Sequence, residues 1–591
     1  MRARHAAVLF AVLTILMTWP VASRPATTTL SSGPDGELFV WTLAWDAHAL
    51  LHHPASIFDA NIYHPLRRTL AYSENLIGSA LVAAPVIWLT GSPVLALNAA
   101  ALLSCALCGL GAFVLARRAG LGTPGAVVAG LVFAFSPPRF FRTSQLHVGV
   151  VPWLPFALAS LHAYFDRGRA RDLRLTAAFF SLQALASGHG AAFAIVAMLA
   201  FILYRLARGA AANPVRRLRD LGVTGALLLL PAVLVYLPYR AVQRETGLRR
   251  TLENWAVTPA SFLASPTHVH AWLASLAPGA RILEDASAYL FPGVLPLLLA
   301  AAALLFGIGD TFRFPWSSRR QDSESVTDSG SVAPSDSESV TDSRSGRGHV
   351  PTGSVLFYGL LALLGLWLSI GPPLGLWPLV YWLPGMSLIR VPSRFTVLAV
   401  LGLAILAGAG ADRLLARVPS RRRSPLLAAV GILLLAEFAA MPMTVSTVHA
   451  DAPLADRWLA TRPGPFAVAE VPLPDPGNAS AFERRQTMYM LHSMAHWQKT
   501  VHGYSGWRAP LHEQLYVKMR GFPDEDSLRE LARLGVTYVV VHTELCQPGE
   551  WPQVEARIEA FGGRLQLEHV AGAGRVYSLR GAGAADAPRV P

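Results

Sequence analysis

Gly33-Pro34-Asp35-Gly36-Glu37-Leu38-Phe39-Val40-Trp41, running on to Trp45-Asp46-Ala47-His48, is the stretch on which the reading of this chain turns. It lies in a polar segment, residues 23–93, that follows one apolar run and precedes many others. Five acidic side chains (Asp35, Glu37, Asp46, Asp59 and Glu74) and four histidines (His48, His52, His53 and His64) gather there beside tryptophan and tyrosine. Almost everything around the segment is apolar enough for a lipid bilayer. An acidic, aromatic loop at the mouth of such a bundle is where chemistry is expected.

Working outward, the 591 residues are 53% hydrophobic and only 15% charged, against about 25% charged in soluble proteins. The net charge of +13 does not indicate nucleic acid, because the arginines cluster in short loops between apolar runs, the pattern that orients membrane proteins. Three cysteines make no disulfide framework. Cys105 and Cys108 fall inside an apolar run with no second pair, which reads as helix packing.

Residues 6–22 follow Arg2 and Arg4, and the bulky Met17-Thr18-Trp19-Pro20 stands where a signal peptidase would need small residues. The run therefore reads as an uncleaved first span with the N-terminus in the cytoplasm. Residues 76–89 are too short to cross comfortably and read as an interfacial or re-entrant helix on the outer side. Further spans are expected over 94–116, 124–136, 150–165, 175–186, 191–203, 221–239, 291–308, 355–370, 395–411 and 426–441. That makes about eleven crossings, with the arginine clusters kept inside and the C-terminus outside. The expected architecture is an α-helical polytopic membrane protein, residues 1–445, carrying a small extracytoplasmic α/β domain at 446–591, where helix and strand patterns alternate. Residues 317–350 contain an eight-residue sequence, 322–329, repeated identically at 336–343. Such a polar tract has nothing to bury and is expected to be a disordered cytoplasmic insert.

Within the first outer loop, Asp35 and Glu37 flank a glycine. In an extended loop both can face one side, to hold a divalent cation or to supply a base. Trp41 and Trp45 follow as candidates for sugar stacking or interfacial anchoring. Arg139, Arg142, Arg240, Arg244, Arg249, Arg250, Arg390 and Arg394 lie on the outer face against the orientation trend. Arginine holds phosphate through paired charge-assisted hydrogen bonds, so Arg390 and Arg394, then Arg139 and Arg142, are candidates for a lipid phosphate; lipid headgroups are the alternative. His147 and His189 sit on outer turns and are candidate substrate contacts. The other histidines make no metal site: His52 and His53 point apart, and His268 with His270 lacks a third ligand. The glycine-rich aromatic loop His502-Gly503-Tyr504-Ser505-Gly506-Trp507 reads as packed, with acceptor contact as the alternative.

These features resemble the GT-C class of integral-membrane glycosyltransferases. The resemblance rests on the Asp35/Glu37 pair, the interfacial segment around Pro85, and Ala112-Phe113-Val114-Leu115-Ala116-Arg117-Arg118 leading to Phe133-Ala134-Phe135-Ser136-Pro137. Arg390-Val391-Pro392-Ser393-Arg394 is similar to the Arg-x-Pro-x-Arg segment of YfhO-type bacterial membrane proteins. The resemblance implies a catalytic acid in the first outer loop, a polyprenyl-phosphate-linked sugar as donor, and an acceptor that is lipid, glycan or protein. It also implies a place in the plasma (inner) membrane among its lipids, with no nucleic-acid partner. The chain departs from that pattern in one respect: residues 137–149 contain no second acid, offering Arg139, Arg142 and His147 instead. Two other readings remain: a transporter or flippase of lipid-linked precursors, for which Glu437 is the main charge within a span, and an inactive membrane scaffold.

Overall fold

The computed structural model describes residues 1–30, 33–209, 214–249, 252, 257–276, 288–311, 352–383 and 385–580. The repeated polar tract and Arg250 lie outside them. Each stretch read as a span is helical, from Ala3–Met17 to Ser420–Phe438. Among the described residues, five helices are long and apolar enough to cross a membrane, or six if a bent pair is one span. Pro93–Arg118, Gly188–Ala207 and Thr352–Ser369 are among the five. Four more apolar helices, including Ala3–Met17 and Ile77–Thr90, are shorter.

Two expectations need correction. Residues 221–239 do not form one straight span. Helices Pro214–Leu228 and Leu230–Thr246 meet at 63°, because Pro231 lacks an N–H and crowds the preceding turn. The first outer loop is not extended either, since Pro34–His52 is a 19-residue helix. Gly33, at φ +74°, turns the chain into it and Pro34 occupies its first turn. Leu38, Trp41, Trp45 and Ala49 recur at helical spacing and are all buried.

Close helix packing uses small residues, as apolar surroundings favour. A Cβ on Gly410 would meet the Leu299 carbonyl oxygen at 1.8 Å. Two acids in the bundle cap the starts of helices. Asp412 accepts from the N–H groups of Gly122 and Gly125 at the start of Thr123–Phe135. Glu437 accepts from the first N–H groups of Val294–Thr311 and lies 2.9 Å from His270 Nε2. Both are anions at helix N-termini, where the macrodipole favours them.

Strands β1 (Thr28–Thr29) and β2 (Ser446–Thr447) pair antiparallel, joining the exit of the first helix to the chain beyond the last apolar one. Beyond them lies a five-stranded mixed sheet of β3 (Ala467–Val471), β4 (Lys499–Thr500), β5 (Tyr538–His542), β6 (Leu565–Ala571) and β7 (Gly574–Leu579). Its order is β4-β3-β5-β7-β6, with helices such as Ala479–His492 and Trp551–Ala560 packed around it. Strand β3 is buried along its whole length, as a strand flanked by parallel neighbours should be. The sheet rests on the first outer loop. Tyr63 and His64 donate backbone hydrogen bonds to the His502 and Thr500 carbonyls, and Thr500 donates to Asn61. Lys499 Nζ closes the joint on the Asp59 and Ala60 carbonyls, 3.0 Å from each.

Candidate active site at the joint

Asp35 and Glu37 occupy the first turn of Pro34–His52, where carboxylates are favoured. A helix turns about 100° per residue, so side chains two apart point to different sides. Exposed Asp35 accepts at Oδ1 from the Tyr504 hydroxyl at 2.9 Å, whereas half-buried Glu37 accepts from the Thr487 hydroxyl. The shared cation site expected of an extended loop is therefore not what this geometry builds. Both partners come from the C-terminal segment. Burial and then the Asp35 charge push the Tyr504 phenol well above its ordinary value, which keeps it a donor to the carboxylate. Burial raises Glu37 as well, opposed by Thr487 and Arg484.

A second acid, quoted among the loop residues but given no role, forms the centre of the site. Glu74 Oε1 lies 2.6 Å from His189 Nδ1, and Oε2 accepts from the Gly188 N–H at 2.8 Å. His189 Nε2 lies 2.7 Å from Arg394 Nη1. A guanidinium only donates, so Nε2 must accept and Nδ1–H must donate to Glu74. The three groups thus form a directional chain, Arg394 to His189 to Glu74, with the imidazole neutral. Burial pushes Glu74 upward, but the His189 and Gly188 hydrogen bonds and the Arg394 charge outweigh it and hold it below the ordinary carboxylate range. The loop is pinned next door, where Tyr239 donates to the Ser73 carbonyl and Asn75 Nδ2 donates to the Tyr239 oxygen. Leu76 takes a left-handed φ of 53°, an uncommon state for a branched residue.

Around this chain the structure brings together most of the sequence candidates. The His147 ring stands 5.6 Å from that of His189 and 5.2 Å from Phe39. Arg142, Arg390 and Asp35 all lie within electrostatic reach of the Arg394 guanidinium, and Arg390 also acts on Tyr504. Asp35 and Glu74 from the first loop, Arg142 from the turn after Thr123–Phe135 and Arg390 from its own segment thus all act electrostatically on Arg394. Arg240, Arg244 and Arg249 line a separate cleft of ≈ 510 Å³ with Tyr381 and Trp382.

Three candidates sit elsewhere. Arg139 is only 2% exposed and points inward, donating to Cys105 Sγ at 3.1 Å, Cys108 Sγ at 3.5 Å and the Ala134 carbonyl. Its two terminal nitrogens are used within the bundle, which also explains the cysteine pair. Trp41 and Trp45 are 1% and 2% exposed and stack on each other at 6.2 Å, with Trp45 Nε1 donating to the Ile57 carbonyl. Neither offers a free ring face to a sugar; they are the core between the loop and its helix. Tyr504 and Glu74 are the residues that sequence reading passed over. Their partners lie 469 and 115 positions away, so no local pattern marks them.

No family model matches the chain, and no curated protein matches it. Solved structures do. The arabinofuranosyltransferase AftD from mycobacteria aligns with a TM-score of 0.58 at 15% identity, over 99% of this chain and 40% of that one. An oligosaccharyltransferase from Archaeoglobus fulgidus aligns at 0.49, 13% identity, 93% and 69% coverage. ArnT from Cupriavidus metallidurans, bound to undecaprenyl phosphate, aligns at 0.47, 13% identity and 99% of both chains. The chain thus spans about 40% of the length of AftD. Its fold is that of the GT-C class of membrane glycosyltransferases.

Proposed function

We propose that the protein transfers one sugar, as a hexosyltransferase-type enzyme, from a polyprenyl-phosphate donor to a lipid, glycan or protein acceptor on the outer face of the plasma membrane. The observation that carries this reading is the Arg394–His189–Glu74 hydrogen-bonded chain, with Asp35, Arg142 and Arg390 within electrostatic reach of its guanidinium. Asp35, oriented by Tyr504, takes the proton from the acceptor hydroxyl. The acceptor oxygen bonds to the anomeric carbon as that carbon's bond to the phosphate oxygen breaks. The electron pair leaves with the lipid phosphate, whose charge the arginines hold. One base and charge stabilisation on the leaving group are what such a displacement needs. Glu37 supports the entry of Pro34–His52 through Thr487, His147 and His189 border the sugar, and no step requires a divalent cation.

The reading places the N-terminus in the cytoplasm, about eleven crossings over residues 1–445, and residues 446–591 outside. The fold shared with AftD supports glycosyl transfer as the reaction class. Glu437, the main charge within a span, serves as a helix cap and histidine partner, so it adds nothing to a transporter's polar path. Transfer of labelled sugar from a lipid-phosphate pool, in membranes carrying wild type or Asp35→Asn, tests the proposal; equal transfer by both refutes the role of Asp35.

A further inference from the structure

On the sheet, outside the site at the joint, Asp456, Glu470, His492 and His542 bring one ligand atom each to within 4.8 Å of all the others, and all four residues are buried. They come from four elements. Asp456 is on helix Leu454–Leu459, Glu470 on β3, His492 ends helix Ala479–His492, and His542 ends β5. Strands β3 and β5 run parallel with Glu470 opposite Val540. Side chains alternate along a strand, so His542 shares the face of Glu470, one residue pair further on.

The hydrogen bonding within the cluster is lopsided. His492 Nδ1 and His542 Nε2 both crowd Glu470 Oε2, at 2.8 Å each. Meanwhile Glu470 Oε1 and both oxygens of Asp456 have no hydrogen-bond partner. Asp456 is 0% exposed, and its oxygens stand 4.0 Å from His492 Nδ1 and 3.7 Å from His496 Nε2. Buried polar groups without partners call for an explanation such as an ion, because an unpaired buried carboxylate is costly. A cation among them would exchange the two imidazole N–H groups for lone pairs and satisfy the unpartnered carboxylate oxygens at once.

We infer that Asp456, Glu470, His492 and His542 bind one divalent transition-metal ion, Zn²⁺ by the chemistry of the donors, which fastens the outer sheet to its flanking helices. Two imidazoles exclude the all-oxygen shells of Ca²⁺ and Mg²⁺. Two nitrogens and two carboxylates in a closed, buried set match a four-coordinate structural zinc site, and two negative charges neutralise the ion. Glu544 Oε1 lies 3.6 Å from His542 Nδ1, where an outer carboxylate holds an imidazole with Nε2 turned to the metal. His496 stands behind Asp456 as an outer partner. Burial of all four ligands leaves no open position for substrate, so the ion supports the fold.

The test is metal content of the full-length protein, purified in detergent and dialysed against metal-free buffer. Wild type should carry about one zinc per chain, falling below roughly one fifth in His542→Gln and His492→Gln. His569→Gln, outside the cluster, should keep its metal. Should the cluster variants fail to accumulate, chelator-stripped wild type titrated with Co²⁺ should develop the visible absorption of a tetrahedral site, and added Zn²⁺ should raise its unfolding midpoint. Zinc content unchanged in accumulated cluster variants would overturn the site. So would wild type that is metal-free as purified and unresponsive to both ions. Transfer activity is not the readout, so the inference stands or falls apart from the proposed reaction.

Discussion

Two regions of the molecule are built on the same pair of side chains and arrive at opposite chemistry. At the joint, Glu74 meets His189 at 2.6 Å; on the sheet, Glu470 meets His492 and His542 at 2.8 Å. At the joint the imidazole's other nitrogen accepts from Arg394, and Arg142 and Arg390 add further positive charge. On the sheet the neighbours of Asp456 and Glu470 are histidines, His492 and His496 beside the first and His492 and His542 beside the second. Arginine has no lone pair to give a metal, so the first arrangement suits an anion. The second pairs carboxylates with imidazoles that can turn a lone pair to an ion, which suits a cation. The joint also keeps Asp35 exposed, as a reacting group requires, whereas the sheet cluster is closed. A carboxylate–imidazole pair by itself therefore says little; what fills the third position decides.

The sharpest break in this comparison is at the exposed acid. Asp35→Asn keeps size and the Tyr504 hydrogen bond but removes the base, and transfer should fall by about 10²-fold or more, with folding intact by size-exclusion profile. Glu37→Gln, at a supporting position, should cost less in the same assay. Next, Arg390→Gln with Arg394→Gln should weaken retention of donor lipid by about tenfold or more, as loss of charge-assisted hydrogen bonds implies. Lysine at both positions should restore only part, lacking the planar fork. A smaller effect is expected at the joint itself. A Cβ on Gly503 would lie 2.6 Å from the Tyr63 ring, so Gly503→Ala should cost about 1–3 kcal/mol, seen as a lower unfolding midpoint. The smallest effect is in pH dependence. Glu74 sits below the ordinary carboxylate range, so its stabilisation is complete above that range and is lost as pH falls through and beneath it. Unfolding midpoints measured down the acid limb should show that loss in wild type and less of it in Glu74→Gln.

Legibility in the sequence followed the range of the signal. The long apolar stretches, and the alternation of helix and strand beyond residue 446, were visible because burial leaves a local mark in composition. Pro34–His52 was misread as an extended loop. Its acids and aromatics drew attention to chemistry, although Leu38, Trp41, Trp45 and Ala49 carried the helical period. Pro231 likewise announced the break at Leu229. Strand β4, two residues long, was too short to leave a pattern. At the joint, Asp35, Arg142, Arg390, Arg394, His147 and His189 were all legible as out-of-place polar groups. Arg139 was equally out of place, yet its charge turned out to be spent on Cys105, Cys108 and a carbonyl. The cluster of Asp456, Glu470, His492 and His542 was missed entirely. Its members are scattered over four elements, and only strand register and helix packing bring them to one point.

The central claim is that the arginines at the joint hold a polyprenyl phosphate. Extraction of lipids that co-purify with the wild-type protein, followed by mass spectrometry, tests it most directly. The account predicts polyprenyl phosphate or its sugar-linked form, enriched over bulk lipid in wild type and depleted in the Arg390→Gln, Arg394→Gln double variant. Bulk phospholipid alone in wild type, or polyprenyl phosphate retained equally by the double variant, would contradict it.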